Sequence, residues 1–509
     1  LRKPLVALGI YVLLCLMAFW GFIKWPESYI PQEDMGYFIT SVQLPAGASE
    51  ERTSQVMAEV SECLLAQPEV DDVISVTGMS FLAGVSGSNL GSFFVVMKPW
   101  DERRSHEEST RSVVDRLNGD LAGIQAAEVF SVNPPAIPGL GLSSGLQMQL
   151  LDINNYGPVA LKQAVDEIVS RARQDDRIAQ INTLYEGEIP QYTVEINRDK
   201  VKLQGLALSS VFSTLSSFMG GSYVNDFVEF GRVYQVNIGA DAVDRDRVDD
   251  VLNLSVRNED GKMVPFSSFA TVRPSMGLSS VSRYNMYQTA SLTATPARHV
   301  SASDGIQAME EIVKDAVGCT FSYSWTGEAY QEIQDGTTIS MALFFAIMIT
   351  LLVLAAQYGN WTDPVAVVIS MPVAVLGTIV GCWFMSQSIS IYTQIGIILL
   401  LGLSAKNAIL IVEYAADYRK SGLSVRQAAM KAGSVRFRPI MMTAMAFVFG
   451  LMPMLFATGA GAQSRIAIGT AVVFGMAVNA LVGTLFVPCF WELLQRFGEK
   501  YLSRVFGNK

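Results

Sequence analysis

The chain has 509 residues, of which 50% are hydrophobic and only 17% charged, with a formal net charge of −10 and a mean hydropathy of +0.31. A soluble domain carries roughly 25% charged residues. The acidic balance, with no Lys/Arg-rich patch interleaved with aromatics, argues against a nucleic-acid partner.

The shortfall of charge is uneven. Residues 4–23 and 337–490 are almost uncharged, whereas 26–336 read like soluble protein. At roughly 100–200 residues per domain, that polar block holds two or three domains.

The first element, PLVALGIYVLLCLMAFWGFI, is apolar over residues 4–24, and a spanning helix needs about 20 such residues. The run is longer than the roughly 7–15 residues of a signal peptide's core. No clear small-residue cleavage site follows, and Trp20 and Trp25 suit an interfacial aromatic belt. It reads as a retained membrane helix.

The polar block alternates with period two in YFITSVQL (37–44), SFFVVMKPW (92–100), GLQMQLLD (145–152) and PQYTVEIN (190–197). Between these lie helical patterns at 49–66 and 158–174. Strands alternating with amphipathic helices predict small α+β sandwiches of β-α-β units. The order fits two units, the second interrupted by roughly 182–287 and completed by TFSYSWTG (320–327).

One segment, GMSFLAGVSGSNLGS, places Gly78, Gly84, Gly87 and Gly91 around Phe81. Glycine at this density permits many backbone conformations. The segment is either a flexible surface loop or a mobile gate carrying an aromatic ring. The Pro/Gly-rich VNPPAIPGLGLSSG (132–145) is a second such stretch, or a plain linker.

Five further apolar runs cover 338–357, 364–385, 391–414, 439–456 and 468–490. Cations mark three segments: Arg2 and Lys3; Arg419, Lys420, Arg426, Lys431, Arg436 and Arg438; Arg496, Lys500, Arg504 and Lys509. The 386–390 loop has no cation and 457–466 has only Arg465. The positive-inside rule then puts the polar block outside.

Ionisable residues inside spans are functional candidates. Lys406 lies well inside the fourth run, and Arg436 and Thr443 share one helix face over two turns. Thr443 by itself reads more readily as a hydroxyl bonded back to its own helix. A buried Lys needs a counter-charge, yet no Asp or Glu lies at its depth; Glu413 and Asp417 sit towards the cationic end. The expected carboxylates lie elsewhere. One helix, a large insert and five helices form the pattern of one repeat of a duplicated transporter.

Five cysteines (Cys15, Cys63, Cys319, Cys382, Cys489) and two histidines (His106, His299) show no metal-ligand spacing. No phosphate loop is present, which argues against ATP drive.

GLSAKNAILIVEYA (402–415) and RFRPIMMTAMAFVFGLMPM (436–454) resemble the fourth and fifth helices of the C-terminal half of resistance-nodulation-division (RND) multidrug exporters. PQEDMGYFITSVQLPAGASEERT (31–53), GGSYVNDFVEFGRV (220–233), GKMVPFSSFA (261–270) and WTGEAYQE (325–332) resemble their external part. The likeness runs the length of the chain and points to the hydrophobe/amphiphile, AcrB- and MexB-like type.

The resemblance implies a membrane α-helical bundle of six helices, one repeat of twelve, plus a periplasmic α+β domain of ferredoxin-like porter subdomains with an inserted docking subdomain. The implied boundaries are a first membrane helix at 1–25, porter subdomain 1 at 26–134, and porter subdomain 2 at 135–181 and 288–336. Docking then falls at 182–287, five helices at 337–495 and a cytoplasmic tail at 496–509. It also implies an inner-membrane transporter in Gram-negative bacteria, driven by the proton gradient without a cofactor.

Lys406, Arg436 and Thr443 match the family's proton relay, with the two Asp residues on a missing N-terminal half. Expected partners are that half, two further copies in a homotrimer, a periplasmic adaptor, an outer-membrane channel and small amphiphilic substrates. Phe81 matches the switch loop, Phe94 and Phe130 match pocket positions, and Met79 and Val132 replace usual Phe residues. Asn182 replaces a usual Arg at the entrance. The alternative is a superfamily exporter of another class, handling lipid, metal or protein export.

Overall fold

The computed structural model describes residues 4–26, 28–141, 143–297 and 300–498. Arg2, Lys3, His299, Lys500, Arg504 and Lys509 lie outside the described residues. The chain divides into two compact units, one made of 1–185 with 282–509 and the other of 186–281.

In the first unit, α1 (Pro4–Lys24) leads to β1 (Tyr37–Gln43), α2 (Glu50–Leu65), β2 (Val70–Ser80), β3 (Val85–Met97), α3 (Thr110–Leu121) and β4 (Glu128–Val132). The strands form an antiparallel sheet in the order β2-β3-β1-β4. Strand alternation decides its two faces. Phe38, Val42, Phe93 and Val95 pack under Val56, Val60, Val113 and Leu117 of the two helices. Ile39, opposite Phe94 and Val132 in register, lies with them on the other face. Ser49 caps α2 by accepting the Arg52 N–H at 3.3 Å, with Glu50 and Glu51 in the favourable first turn.

The second sheet is built the same way from β5 (Leu146–Asp152), α4 (Pro158–Ala172) and β6 (Ile178–Thr183). Strand Tyr287–Pro296 pairs with β5 on one edge and with β6 and Arg283–Tyr284 on the other. Ser322–Thr326 closes the sheet against β5. Leu161, Val165 and Ile168 of α4 and Met309 and Val313 of helix Ala302–Val317 cover Met148, Leu150 and Leu292.

The 186–281 unit pairs strands Glu188–Ile196 and Ala270–Leu278 and carries an exposed hairpin, Ser222–Glu229 with Arg232–Ile238. Its small core gathers Val201, Val211, Val256, Phe266 and Phe269.

Among the described residues, six helices are long and apolar enough to cross a membrane: Val6–Lys24, Met341–Tyr358, Thr362–Phe384, Ile391–Lys420, Val425–Phe456 and Ala462–Phe497. The last two extend well beyond the apolar runs at 439–456 and 468–490. Charge ends an apolar run but not a helix: Arg426, Lys431 and Arg436 lie within a helix begun by a Ser424/Gln427 capping box. The second span likewise continues a helix that starts at Gly327.

The third span breaks before Pro372, whose ring suits the start of a new helix. The sixth span contains a π turn over Asn479–Gly483 followed by Pro488. The third and sixth helices approach closely at small residues, Gly377 and Gly381 facing Phe474 and Gly475.

Candidate functional site

The fourth helix (Ile391–Lys420) and fifth helix (Val425–Leu451) are joined by a four-residue turn at 421–424 and run antiparallel. Three cations reach across this pair onto aromatic faces. Lys431 Nζ lies 4.6 Å from the Tyr418 ring centroid, the Arg436 guanidinium carbon 3.5 Å from Tyr414, and Lys406 Nζ 5.9 Å from Phe447. Such contacts attract a cation through the ring quadrupole.

The three contacts form a ladder along the helix pair, and the ladder sets distances. Lys406 is eight residues from Tyr414, so Arg436 lies about 12 Å further along the axis at 1.5 Å rise per residue. Lys406 and Arg436 therefore occupy successive levels and do not meet. Thr443 is one turn from Phe447, the ring nearest Lys406. Its hydroxyl donates to Ile440 O at 3.0 Å, the back-bonded arrangement.

Lys406 and Thr443 are exposed on an open face of the six-helix bundle, while Arg436 is half-buried with its Nε in no hydrogen bond. Towards the interior, Ser404 Oγ and Asn407 Nδ2 of the fourth helix and Thr470 Oγ1 of the sixth are also buried without partners. Lys406 and Arg436 thus mark a cationic seam on an otherwise apolar bundle, with further unsatisfied polar groups buried inside it. Each such group is costly in a low-dielectric interior, which makes the seam a candidate functional site.

Among the described residues of the membrane spans two carboxylates are buried, and neither stands out in the sequence because each lies just past the edge of an apolar run. Asp363, at the start of the third span, accepts from Trp491 Nε1, Gln495 Nε2 and Asn360 Nδ2, each at 2.8 Å. Glu492, near the end of the sixth, pairs with Arg496 at 2.5 Å. Neither shows a contact with Lys406.

A separate apolar cluster lies on the helix-free face of the first sheet. Phe130 and Val132 of β4 pack with Ile39 of β1, with Phe94, Leu82 and Leu184 alongside. The Phe81 and Phe94 rings are 4.6 Å apart. Four of the five substrate-side candidates thus come together. Met79 stays in the strand opposite Ser86, half-buried, its carbonyl accepting from Ser92 Oγ at 3.1 Å. Asn182 lies on β6 and accepts from Gln180 Nε2 at 3.2 Å.

Most of the glycine-rich segment 78–91 is strand and not irregular loop. It is the end of the β2–β3 hairpin, turned over 81–84. Gly78 has φ +88° beside a register shift and Gly84 has φ +67° at the turn, conformations that favour glycine. Gly87 and Gly91 are strand residues, and a Cβ at Gly91 would run into Met57 Sδ. The turn is pinned by Phe81 N–H donating to Ser92 Oγ at 3.1 Å and Gly84 N–H to Ser80 O at 2.9 Å.

Among the described residues no group of three His, Cys, Asp or Glu side chains could hold a metal ion. Cys63 and Cys319 are free thiols.

A sequence profile of the AcrB/AcrD/AcrF family matches residues 1–495. The chain is 35% identical over 502 residues to the multidrug export protein AcrF of Escherichia coli (strain K12), covering 97% of this chain and 48% of that protein. It is 34% identical over 511 residues to the toluene efflux pump membrane transporter TtgB of Pseudomonas putida, covering 100% and 48%. A third relative, the multidrug resistance protein MdtF of Escherichia coli (strain K12), is 34% identical over 496 residues, covering 97% and 48%. The chain spans about half the length of these curated relatives. With the match running from the first helix through the sixth, the chain belongs to the AcrB/AcrD/AcrF family of RND efflux transporters.

Proposed function

We propose that this chain forms the C-terminal half of a proton-driven exporter of amphiphilic or hydrophobic compounds, a secondary transporter and not an enzyme. The observation that carries the reading is the cation seam: Lys406 stands on an open bundle face, one level from Arg436, with no carboxylate against it among the described residues. A cation at that depth is worth its cost only if something answers it. A second half would bring the carboxylates, and protonating them would weaken their hold on Lys406. That change of attraction is a means of coupling proton entry to helix movement, with Arg436 and Thr443 lining the path.

In this reading the two sheets, each β-α-β-β-α-β in order, are ferredoxin-like porter subdomains lying in the periplasm. They correspond to 26–134 and to 135–181 with 288–336, and 182–287 is the docking part. The Phe81, Phe94, Phe130 and Val132 cluster, with Met79 beside it, would face substrate; ring contacts suit diverse amphiphiles because they demand few fixed hydrogen bonds. The names of AcrF and TtgB support efflux of drugs or solvents. The assembly would be an inner-membrane homotrimer working with a periplasmic adaptor and an outer-membrane channel.

The test is Lys406→Ala in the complete transporter. Export of a fluorescent amphiphile should cease while membrane insertion and trimer yield stay at parental levels. Undiminished export in that variant removes the seam from the mechanism.

A further inference from the structure

Two adjacent carboxylates in the segment after α1 reach in different directions. Trp25, Ser28 and Tyr29 lie against the segment that begins the fourth membrane helix: Trp25 Nε1 donates to Gln387 O at 2.8 Å, Ser28 N–H to Ile389 O at 3.1 Å, and Ile391 N–H to Tyr29 O at 3.1 Å. Glu33 then meets the first turn of helix Ala462–Val478. Its Oε2 accepts Gln463 N–H at 3.0 Å, and its Oε1 accepts Ser464 N–H at 2.7 Å and the Ser464 hydroxyl. The residue at the cap position of that helix, Gly461, has no side chain to do this. Glu33 thus supplies the N-cap from far away in sequence.

Asp34 reaches instead to the first turn of α3, under the first sheet, where it adds to the helix's own cap, Ser109, which accepts Ser112 N–H. Asp34 accepts Thr110 N–H at 3.0 Å and the Thr110 hydroxyl at 2.7 Å, and it pairs with the buried Arg103 at 2.9 Å. Burial would raise the Asp34 carboxyl, and the bonds from Arg103 and Thr110 outweigh it and hold it at about 2. Trp100 donates to Asp34 at 3.2 Å, and its ring lies where a Cβ on Gly459 would come within 4.0 Å, beside the turn before the sixth span.

We propose that Glu33–Asp34 is a positioning joint: consecutive peptide units tie the first turn of the sixth membrane helix to the first turn of α3, so that displacement of one is delivered to the other. The link has no slack, because consecutive Cα atoms sit about 3.8 Å apart. It rests on the transport reading only for its purpose; the mechanical link is testable without transport.

The test is amide hydrogen exchange on the complete, purified transporter. Glu33→Ala should speed exchange at Gln463 and Ser464 about fivefold, the loss expected for a helix cap. If the joint is real, it should also speed exchange at Thr110–Val113, which Glu33 does not touch. Asp34→Asn should act reciprocally on Gln463 and Ser464, since coupling is symmetric.

One glycine inserted between Glu33 and Asp34 leaves both caps available but adds about 3.3–3.6 Å of reach. It should keep both first turns protected, abolish the cross-effect, and cut the maximal export rate about tenfold with KM unchanged. Substitutions that loosen only their own helix overturn the joint, as does parental export by the insertion variant. Should the inserted chain misfold, the two single substitutions decide alone. Cross-effects in a parent that exports nothing would overturn the transport reading and leave the joint standing.

Discussion

Gly377 offers a sharp test of how the third and sixth membrane helices are packed. A Cβ built there falls 2.7 Å from Phe474 O, 2.8 Å from Gly475 Cα and 2.8 Å from Val478 Cβ. Carbon contacts are optimal near 3.5–4.0 Å, so Gly377→Ala demands that the helices part by about 0.7–1 Å. Two of the three atoms are backbone and cannot rotate away. Overpacking costs about 1–3 kcal/mol, and this site belongs at the upper end, about 2–3 kcal/mol.

The control is Gly119→Ala in α3, exposed and with nothing within 4 Å of its Cβ. It should stabilise by about 0.5–1 kcal/mol through helix propensity alone. Thermal unfolding of the purified transporter in detergent reads both: Gly377→Ala melts below the parent and Gly119→Ala at or above it. A Gly377→Ala protein melting with the parent would refute the close approach of these helices.

Two further outcomes follow from groups outside the spans. Burial raises the Glu328 carboxyl, against the bond from Ala136 N–H and with the neighbouring Glu332 adding to it. A raised folded-state value means stability that is full below the unfolded pKa and lost as pH climbs through the folded one. Glu328→Gln keeps the acceptor and should melt above the parent at neutral pH, the gap closing on acidification; a gap independent of pH sinks the argument. Phe81→Ala removes the ring against Phe94, worth about 0.5–1.5 kcal/mol beyond its area. Export of a bulky amphiphile should fall roughly 2–10-fold while that of a small one changes less; equal rates for both would exclude Phe81 from the path.

Much of the architecture was legible because it rests on local periodicity. Alternation in YFITSVQ put Phe38 and Ile39 on opposite faces before any contact was known, and apolar length marked all six spans. What stayed hidden depends on distance in sequence. Lys406 and Arg436 stood out by charge, but their partners Phe447 and Tyr414 are fixed by the register across the turn at 421–424, which composition does not reveal. Gly91 read as loop flexibility, whereas its smallness answers Met57 on another element. Asp363 and Glu492 fell outside the runs because apolar segments end at charge, although the helices that bury them do not. Glu33 carries no local signal of its role, since the helix it caps begins at Ala462.

The π turn at Asn479–Gly483 gives the sixth helix two orientations. Above it, Gly475 nestles against Ala374 and Thr378 of the third helix and Leu400 of the fourth. Below it, Pro488 fills the space over Gly433 of the fifth, and Trp491 reaches Asp363. One residue of an α-helix is worth about 100° of rotation. A uniformly wound helix satisfying the upper contacts would therefore aim Trp491 more than a quarter-turn away from Asp363. The extra residue works like an offset in a shaft: each half keeps the angle its own neighbours require, and the chain crosses the bundle as a single rod.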